Sequence, residues 1–249
     1  MIKLSVNVNK VALLRNSRRN GIPNVSRLAA IALRSGAHGI TVHPRPDERH
    51  IRGDDVVDLR RLVRMHPAAE FNIEGNPFHG LIEHVRKTLP DQCTLVPDEV
   101  NASTSDHGWD LGRNAGRLEP VIRELRNLGI RVSLFMDPDP RSMSIAREVG
   151  ADRVELYTEP FANAHAKQGD SRVLEAYVEA AHSAQKAGLG VNAGHDLNRD
   201  NLPRFVEAIP FLCEVSIGHA LIADALEMGM EKATRAYLSA LGSSVGEPR

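Results

Sequence analysis

Residues able to move protons or hold phosphate recur in this sequence wherever a short β-rich run ends. In ITVHPRPDERHI (40–51) a strand-like start passes through His43 into Arg45, Arg49 and a second histidine, His50. VNVNK ends a first run with Asn7, Asn9 and Lys10, and NIEGNP ends another with Glu74. LVPDE leads to Asp98 and a polar loop with Ser103, Thr104 and Ser105; FMDPD supplies Asp137 and RVELY carries Glu155. VNAGHD brings His195 and Asp196, and SIGHA brings Gly218 and His219. Glu74, Glu155, His43 and His195 are candidates for general acid–base work, because an imidazole, or a carboxylate tuned by burial, exchanges protons near neutral pH. Arg45, His50 and Lys10 suit phosphate, as do backbone amides around Gly218 and His219 at a helix start.

These groups can act together only if the runs that carry them end in one place. β-rich runs lie at 2–8, 39–42, 71–74, 93–96, 131–135, 153–157, 190–192 and 214–217. Helix-like stretches follow them at 25–35, 54–65, 77–88, 115–128, 140–149, 172–187, 202–208 and 220–241. LGI (128–130), EVGAD (148–152) and KAGLG (186–190) place a glycine between helix and next strand, the usual left-handed C-cap. Strict β/α alternation over 249 residues predicts an α/β fold, a (β/α)8 TIM barrel with a few additional helices, as a single domain over 1–249. A doubly wound sheet would carry a glycine-rich turn after its first strand, and VNVNKVA has no glycine. In a barrel, the carboxyl ends of the strands share one mouth, so the polar residues above converge there.

Composition narrows the classes further. Apolar residues make up 42% and charged residues 25%, with a net charge of −1 and no strong basic run, which argues against a nucleic-acid partner. No apolar run approaches the roughly 20 residues that span a bilayer, and MIKLSVNVNKVALLR lacks a signal peptide's apolar centre, so no membrane role and a cytoplasmic location are expected. Cys93 and Cys213 are too few for a disulfide framework or zinc cluster. The short tail GSSVGEPR is expected to fray.

Two other chemistries compete for the same residues. A metal-dependent barrel isomerase or aldolase commonly has two histidines one residue apart on strand 1; here that position reads Asn7-Val8-Asn9, and no HxH, HExxH or CxxC occurs. A Schiff-base lysine is disfavoured because Lys10 is the only lysine near the rim. A binding protein that kept the pockets without turnover is a third reading, against which the full set of acids and bases argues.

The strings VNVNKVALLRNSR, GITVHPRPDERHIR, NIEGNP, LVPDE, VSLFMDPD, VNAGHDL and IGHALI, in this order, resemble the pyridoxine 5'-phosphate synthase family of de novo vitamin B6 biosynthesis over about residues 2–240. The most specific motif is HxRxDxRHI at 43–51. The resemblance implies a barrel with added helices, a homo-octamer built from dimers, and no metal or organic cofactor. It implies condensation of two small phosphorylated substrates, 1-deoxy-D-xylulose 5-phosphate and 3-amino-2-oxopropyl phosphate, to pyridoxine 5'-phosphate, phosphate and water. By the same resemblance His43 and Glu74 are proton acceptors, His195 the proton donor, and Glu155 the stabiliser of a charged intermediate. Asn7, Arg18, Asp196, Gly218 and His219 fall where the family holds the amino-ketone phosphate; Asn9, Lys10, Arg45, His50 and Thr104 fall where it holds the pentulose phosphate. The chain departs from the pattern in three places. Asn9-Lys10 stands for the usual Asp-His, Asp196 stands for a usual glycine, and the loop around His107 and Trp109 is less glycine-rich.

Overall fold

Alternation of side chains along a strand decides what a parallel barrel buries on each side. A computed structural model of the chain describes residues 1–102, 104–169 and 171–242; Ser103 and residues 243–249 of the expected frayed tail lie outside them. Eight parallel strands close into a barrel in sequence order: β1 Lys3–Asn7, β2 Gly39–Val42, β3 Glu70–Gly75, β4 Gln92–Leu95, β5 Arg131–Met136, β6 Arg153–Tyr157, β7 Gly190–Gly194 and β8 Glu214–Ile217. The last strand returns to the first in the register Lys3↔Glu214 to Val6↔Ile217. The helices among the described residues are α1 Asn9–Asn16, α2 Val25–Arg34, α3 Gly53–Arg64, α4 Ile82–Thr88, α5 Leu111–Asn127, α6 Met143–Glu148, α7 Glu159–Ala166, α8 Ser171–Lys186, α9 Leu202–Ala208, α10 His219–Met228 and α11 Met230–Ala240. The (β/α)8 barrel read from the alternation is the fold.

Strands fall where the sequence places them, and the glycine stops behave as expected: Gly129, Gly150 and Gly188 have φ of 75°, 97° and 78°. The differences are in helices. α1 and α7 are short additions directly after β1 and β6, each following a single intervening residue, Val8 or Thr158, so no turn signal sets them off from the strand. The stretch 220–241 is two helices, because Gly229 with φ 85° ends α10 and restarts the chain as α11.

One set of alternating strand residues faces the helices. Leu4, Val6, Ile40, Val42, Phe71, Ile73, Leu134, Val154, Leu156, Val215 and Ile217 belong to one continuous apolar core, each at most 2% exposed. The other set lines the barrel interior, which in most such folds is filled by Val, Ile and Leu. Here it is polar, and its groups pair with one another except at Ser133, whose buried hydroxyl has no partner among the described residues. Ser5 Oγ lies 2.7 Å from Thr41 Oγ1; Asn72 donates to Thr41 and accepts from Thr94 at 3.3 and 3.2 Å. Nearer the amino ends of the strands Gln92 donates to Glu214, and Lys3 and Arg131 both pair with Glu70.

α8 locks the strand end that carries the site. Tyr177, fully buried, donates its hydroxyl to the Tyr157 carbonyl at 2.5 Å and packs on Phe161 and Phe205. Tyr177→Phe keeps the ring and leaves that carbonyl without its partner, so the urea midpoint should fall by the equivalent of about 1–2 kcal/mol at unchanged m. A midpoint equal to wild type would show that the hydroxyl adds nothing to stability.

Candidate active site

The carboxyl ends of the strands surround a cavity of about 420 Å³. Every residue expected to catalyse or to bind substrate lines it except Arg18, which lies on an exposed turn after α1; of the other strand-end acids, Asp98 is buried behind the wall. Asp137 is also outside: it is exposed beyond the end of β5, and the inward position there is taken by Phe135. The strand end is the reason: β5 stops at Met136, so the alternation that turns Phe135 inward does not extend to Asp137.

The floor is built from the polar interior. Glu74 on β3 and Glu155 on β6 are 9% and 3% exposed. Their support is thin: Asn72 and Ser216 approach Glu74 at 3.4 and 3.5 Å, and Thr94 approaches Glu155 at 3.4 Å. Burial, then repulsion from Glu155, Asp98 and Glu214, raises the Glu74 carboxyl well above the ordinary range. Burial and Glu214 raise Glu155 likewise. A Cβ on Gly194 would collide with Glu155 Oε1, so glycine at the end of β7 makes room for that carboxylate.

The rim over β2 is fixed from α1 and from the loop after β4. Arg15 pairs with Asp55 and donates to the His50 carbonyl at 3.1 Å, while Asn16 donates to the carbonyls of Glu48, Arg49 and His50. Arg45 donates to Asp98 Oδ2 at 2.6 Å and to the Ala102 carbonyl at 3.1 Å; Arg49 reaches the Ala102 and Val100 carbonyls. His50 Nδ1 accepts from the Ile51 amide at 2.9 Å, so the neutral ring carries its hydrogen on Nε2. Burial, then Arg45, Lys10 and Arg49, pushes its pKa down to about 4. Burial, then Arg45, His50 and Arg49, holds His43 well below its ordinary value, so both imidazoles are neutral. Asn9 spends its side-chain oxygen on the His43 amide, 2.9 Å away.

β7 and β8 supply the opposite rim. His195 and Asp196 adopt left-handed backbone, φ 83° and 56°, which turns the His195 ring back over the mouth. Its Nε2 lies 2.9 Å from Thr104 Oγ1 and its Nδ1 3.3 Å from Asp196 Oδ2; the Tyr157 ring stands edge-on at 5.2 Å. Contact with His195 lowers the Asp196 carboxyl, which is therefore an anion, with Lys10 and His219 adding to the effect. Glu159, from the first turn of α7, takes the Tyr157 hydroxyl hydrogen. Among the described residues, Glu159, His195 and Asp196 place one potential ligand atom each within 4.8 Å of one another. Gly218 precedes α10, whose first amides are free for an anion; a Cβ on Gly218 would press on Asn7 at 3.1–3.3 Å.

Sequence reasoning singled out no role for Asp98, Ser216, Glu159, Val96 or Phe135. The last two follow from strand parity, because each lies two residues beyond an inward neighbour, Thr94 or Ser133. Glu159 was signalled by Thr-Glu-Pro, a helix-start pattern with proline in the first turn. The cavity thus offers cations and amides around its rim, neutral imidazoles above two buried carboxyls, and an apolar wall of Val96 and Phe135.

Residues 4–243 match the family model described as pyridoxal phosphate biosynthesis protein PdxJ. The chain is similar to pyridoxine 5'-phosphate synthase of Albidiferax ferrireducens, 58% identical over 241 residues that cover 95% of this chain and 96% of that protein. It is 52% identical to the protein of the same name from Xanthomonas campestris pv. campestris over 243 residues, 95% and 94% of the two chains. Among solved structures, phosphoribosyl anthranilate isomerase from Thermotoga maritima superposes with a TM-score of 0.62 at 12% identity, over 97% of this chain and 99% of its own. Tryptophan synthase from M. tuberculosis superposes with a TM-score of 0.62 at 13% identity, over 98% and 94%. At such identities the likeness is one of fold.

Glu74 also has a cost in stability. Its folded pKa is raised, so its burial favours folding below the ordinary carboxylate pKa, and that advantage is lost as pH rises through the raised value. Glu74→Gln, neutral throughout, should melt a few degrees above wild type at pH 8, with the gap closing below about pH 4. A Tm equal to wild type at both pH values would contradict the burial of a strained charge.

Proposed function

The chain belongs to the PdxJ family of pyridoxal phosphate biosynthesis proteins, and on that premise we infer what its cavity does. It is an enzyme that makes pyridoxine 5'-phosphate, in vitamin B6 biosynthesis, from 1-deoxy-D-xylulose 5-phosphate and 3-amino-2-oxopropyl phosphate. The observation that carries the reading is the pairing of two anion-binding rims with a floor of buried acid–base groups in one cavity.

Each step of the condensation asks for groups of those kinds. Imine formation between the amine and the pentulose ketone, loss of phosphate and water, and ring closure all move protons at neighbouring carbons and oxygens. Neutral His43 is able to accept a proton because burial and its cationic neighbours keep it unprotonated. Glu74, with its raised carboxyl, accepts protons more strongly than an exposed carboxylate and returns them readily. His195 is assigned as donor, with Nε2 towards Thr104 and the mouth. Glu155, its carboxyl pKa raised to about 8 by burial and Glu214, is assigned to a charged intermediate, beside which a developing positive charge would favour its ionised form. Arg45, His50, Lys10, Asn9 and Thr104 are assigned to the pentulose phosphate. Asn7, Gly218 and His219 are assigned to the amino-ketone phosphate at the start of α10. For Asp196 this reading retains a backbone contact only, since its anionic side chain would repel phosphate.

Three further parts of the reading are carried over from the family: a cytoplasmic location, a homo-octamer built from dimers, and Arg18 as a phosphate ligand. Exposed Leu13, Leu14 and Ile22, near Arg18 in sequence, are consistent with a neighbouring copy covering that side.

Chelator-treated protein supplied with both substrates should yield pyridoxine 5'-phosphate by chromatography, and Glu74→Gln should lower kcat by roughly 10²–10⁴-fold while still folding. No product from wild type without metal would turn the reading towards a metal-dependent sugar-phosphate enzyme. The acid limb of kcat/KM should lie above the ordinary carboxylate range. In Glu155→Gln it should move to lower pH, because the anion that helps raise Glu74 is gone. An unmoved limb would detach that limb from the carboxyl pair.

A further inference from the structure

Asp98 stands just behind the cavity wall, past the end of β4, and carries none of the roles assigned above. Its side chain is 4% exposed and that of His43, facing it, is 8% exposed. One oxygen, Oδ2, meets three groups: Arg45 Nη2 at 2.6 Å, Ser105 Oγ at 2.9 Å and His43 Nε2 at 3.5 Å. Asn76 Nδ2 holds the Asp98 carbonyl at 3.0 Å, so the backbone beneath the carboxylate is also fixed. Burial raises the Asp98 carboxyl, and Arg45 and Ser105 oppose that by stabilising its anion.

The His43 ring has its Nε2 edge against this wall; a Cβ on Gly75 would lie 3.6 Å from Nε2. A neutral imidazole has one N–H and one lone pair, and a carboxylate accepts but does not donate. A carboxylate facing Nε2 therefore favours the tautomer with its hydrogen on that nitrogen. The 3.5 Å separation is long for a hydrogen bond, as catalytic contacts often are before substrate arrives.

We propose that Asp98 is a positioning residue for His43: facing Nε2, it selects the tautomer in which Nδ1 keeps its lone pair, and so makes Nδ1 the proton-accepting atom. Arg45 and Ser105 hold the carboxylate in place for that task, which binds the β2 and β4 loops into one unit. The role rests on His43 being the proton acceptor, as inferred above.

Removing the acceptor and releasing Arg45 are separated by three variants. In Asp98→Asn the Arg45 and Ser105 donors require an acceptor at the Oδ2 position, so the amide oxygen sits there and still faces His43 Nε2; the tautomer is kept, and kcat should stay within about tenfold of wild type. Asp98→Leu fills the space without an acceptor, and kcat should fall at least a hundredfold, within the range on the order of 10²–10⁴-fold that mis-set tautomers cost. Arg45→Ala releases the clamp while Asp98 still faces His43, so KM for deoxyxylulose phosphate should rise with the deuterium on His43 Nε2 unchanged. Neutron diffraction of the wild-type protein should show deuterium on His43 Nε2 and none on Nδ1. Deuterium on Nδ1, or an Asp98→Leu variant whose KM rises while kcat is kept, would overturn the proposal. If wild type makes no pyridoxine 5'-phosphate yet Nε2 carries the deuterium, the reaction assignment fails and the tautomer selection by Asp98 stands.

Discussion

Burial of two carboxyl groups where water cannot solvate their charge is the constraint around which this protein is arranged. Glu74 and Glu155 are placed by strand geometry on the inner face of a closed sheet, with only distant hydrogen-bond partners. A carboxylate in such a place is a better base than one in solvent, at the cost of stability. The surroundings make the arrangement tolerable. Thr41, Asn72, Thr94, Gln92 and Asn192 replace the usual aliphatic filling of a barrel with groups that satisfy one another. Stability then comes from the outer face of the strands, where the apolar core lies against the helices.

The rim follows a complementary logic. Arginines and a lysine above the floor attract phosphate, and their field, with burial, keeps His43 and His50 neutral. On the proposed reading, anion recognition and base strength are therefore one electrostatic arrangement: the cations assigned to substrate also keep a nearby imidazole neutral. Arg45 and Arg49 are themselves tied to the carbonyls and to Asp98 of the loop after β4, so the two rims are not independent. On the β7 side, left-handed backbone at His195 and Asp196 does the positioning that a longer side chain does elsewhere. This turn is stiffened by Thr158, which donates to the Gly194 and His195 carbonyls.

Residues of the site could be read from the chain because each barrel strand announces its own carboxyl end. A short β-branched run, then a polar residue, then glycine or proline is a local pattern, and closure brings all such ends together whatever lies between them. Arg18 and Asp137 show where that reading stops. Arg18 belongs to the turn after α1, not to a strand, so nothing local dictates which way it faces. Asp137 has the parity of the inward residue Phe135, but β5 ends at Met136, so the alternation stops before Asp137 and no longer dictates where it faces. α1 and α7 were illegible because each starts after a single intervening residue, Val8 or Thr158, so no turn signal separates helix from strand.

By itself the sequence determined the eight-fold alternation, the glycine stops, the chemical types at the mouth and the family, all of which depend on local order along the chain. Only the tertiary structure decided that the barrel interior is polar, that Glu74 and Glu155 share a buried floor, and that Asp98 meets both Arg45 and His43. Arg45 and Asp98 are 53 positions apart and the interior pair Gln92 and Glu214 122, and what one residue does to another is set by distance and the dielectric between them, neither of which is written in linear order.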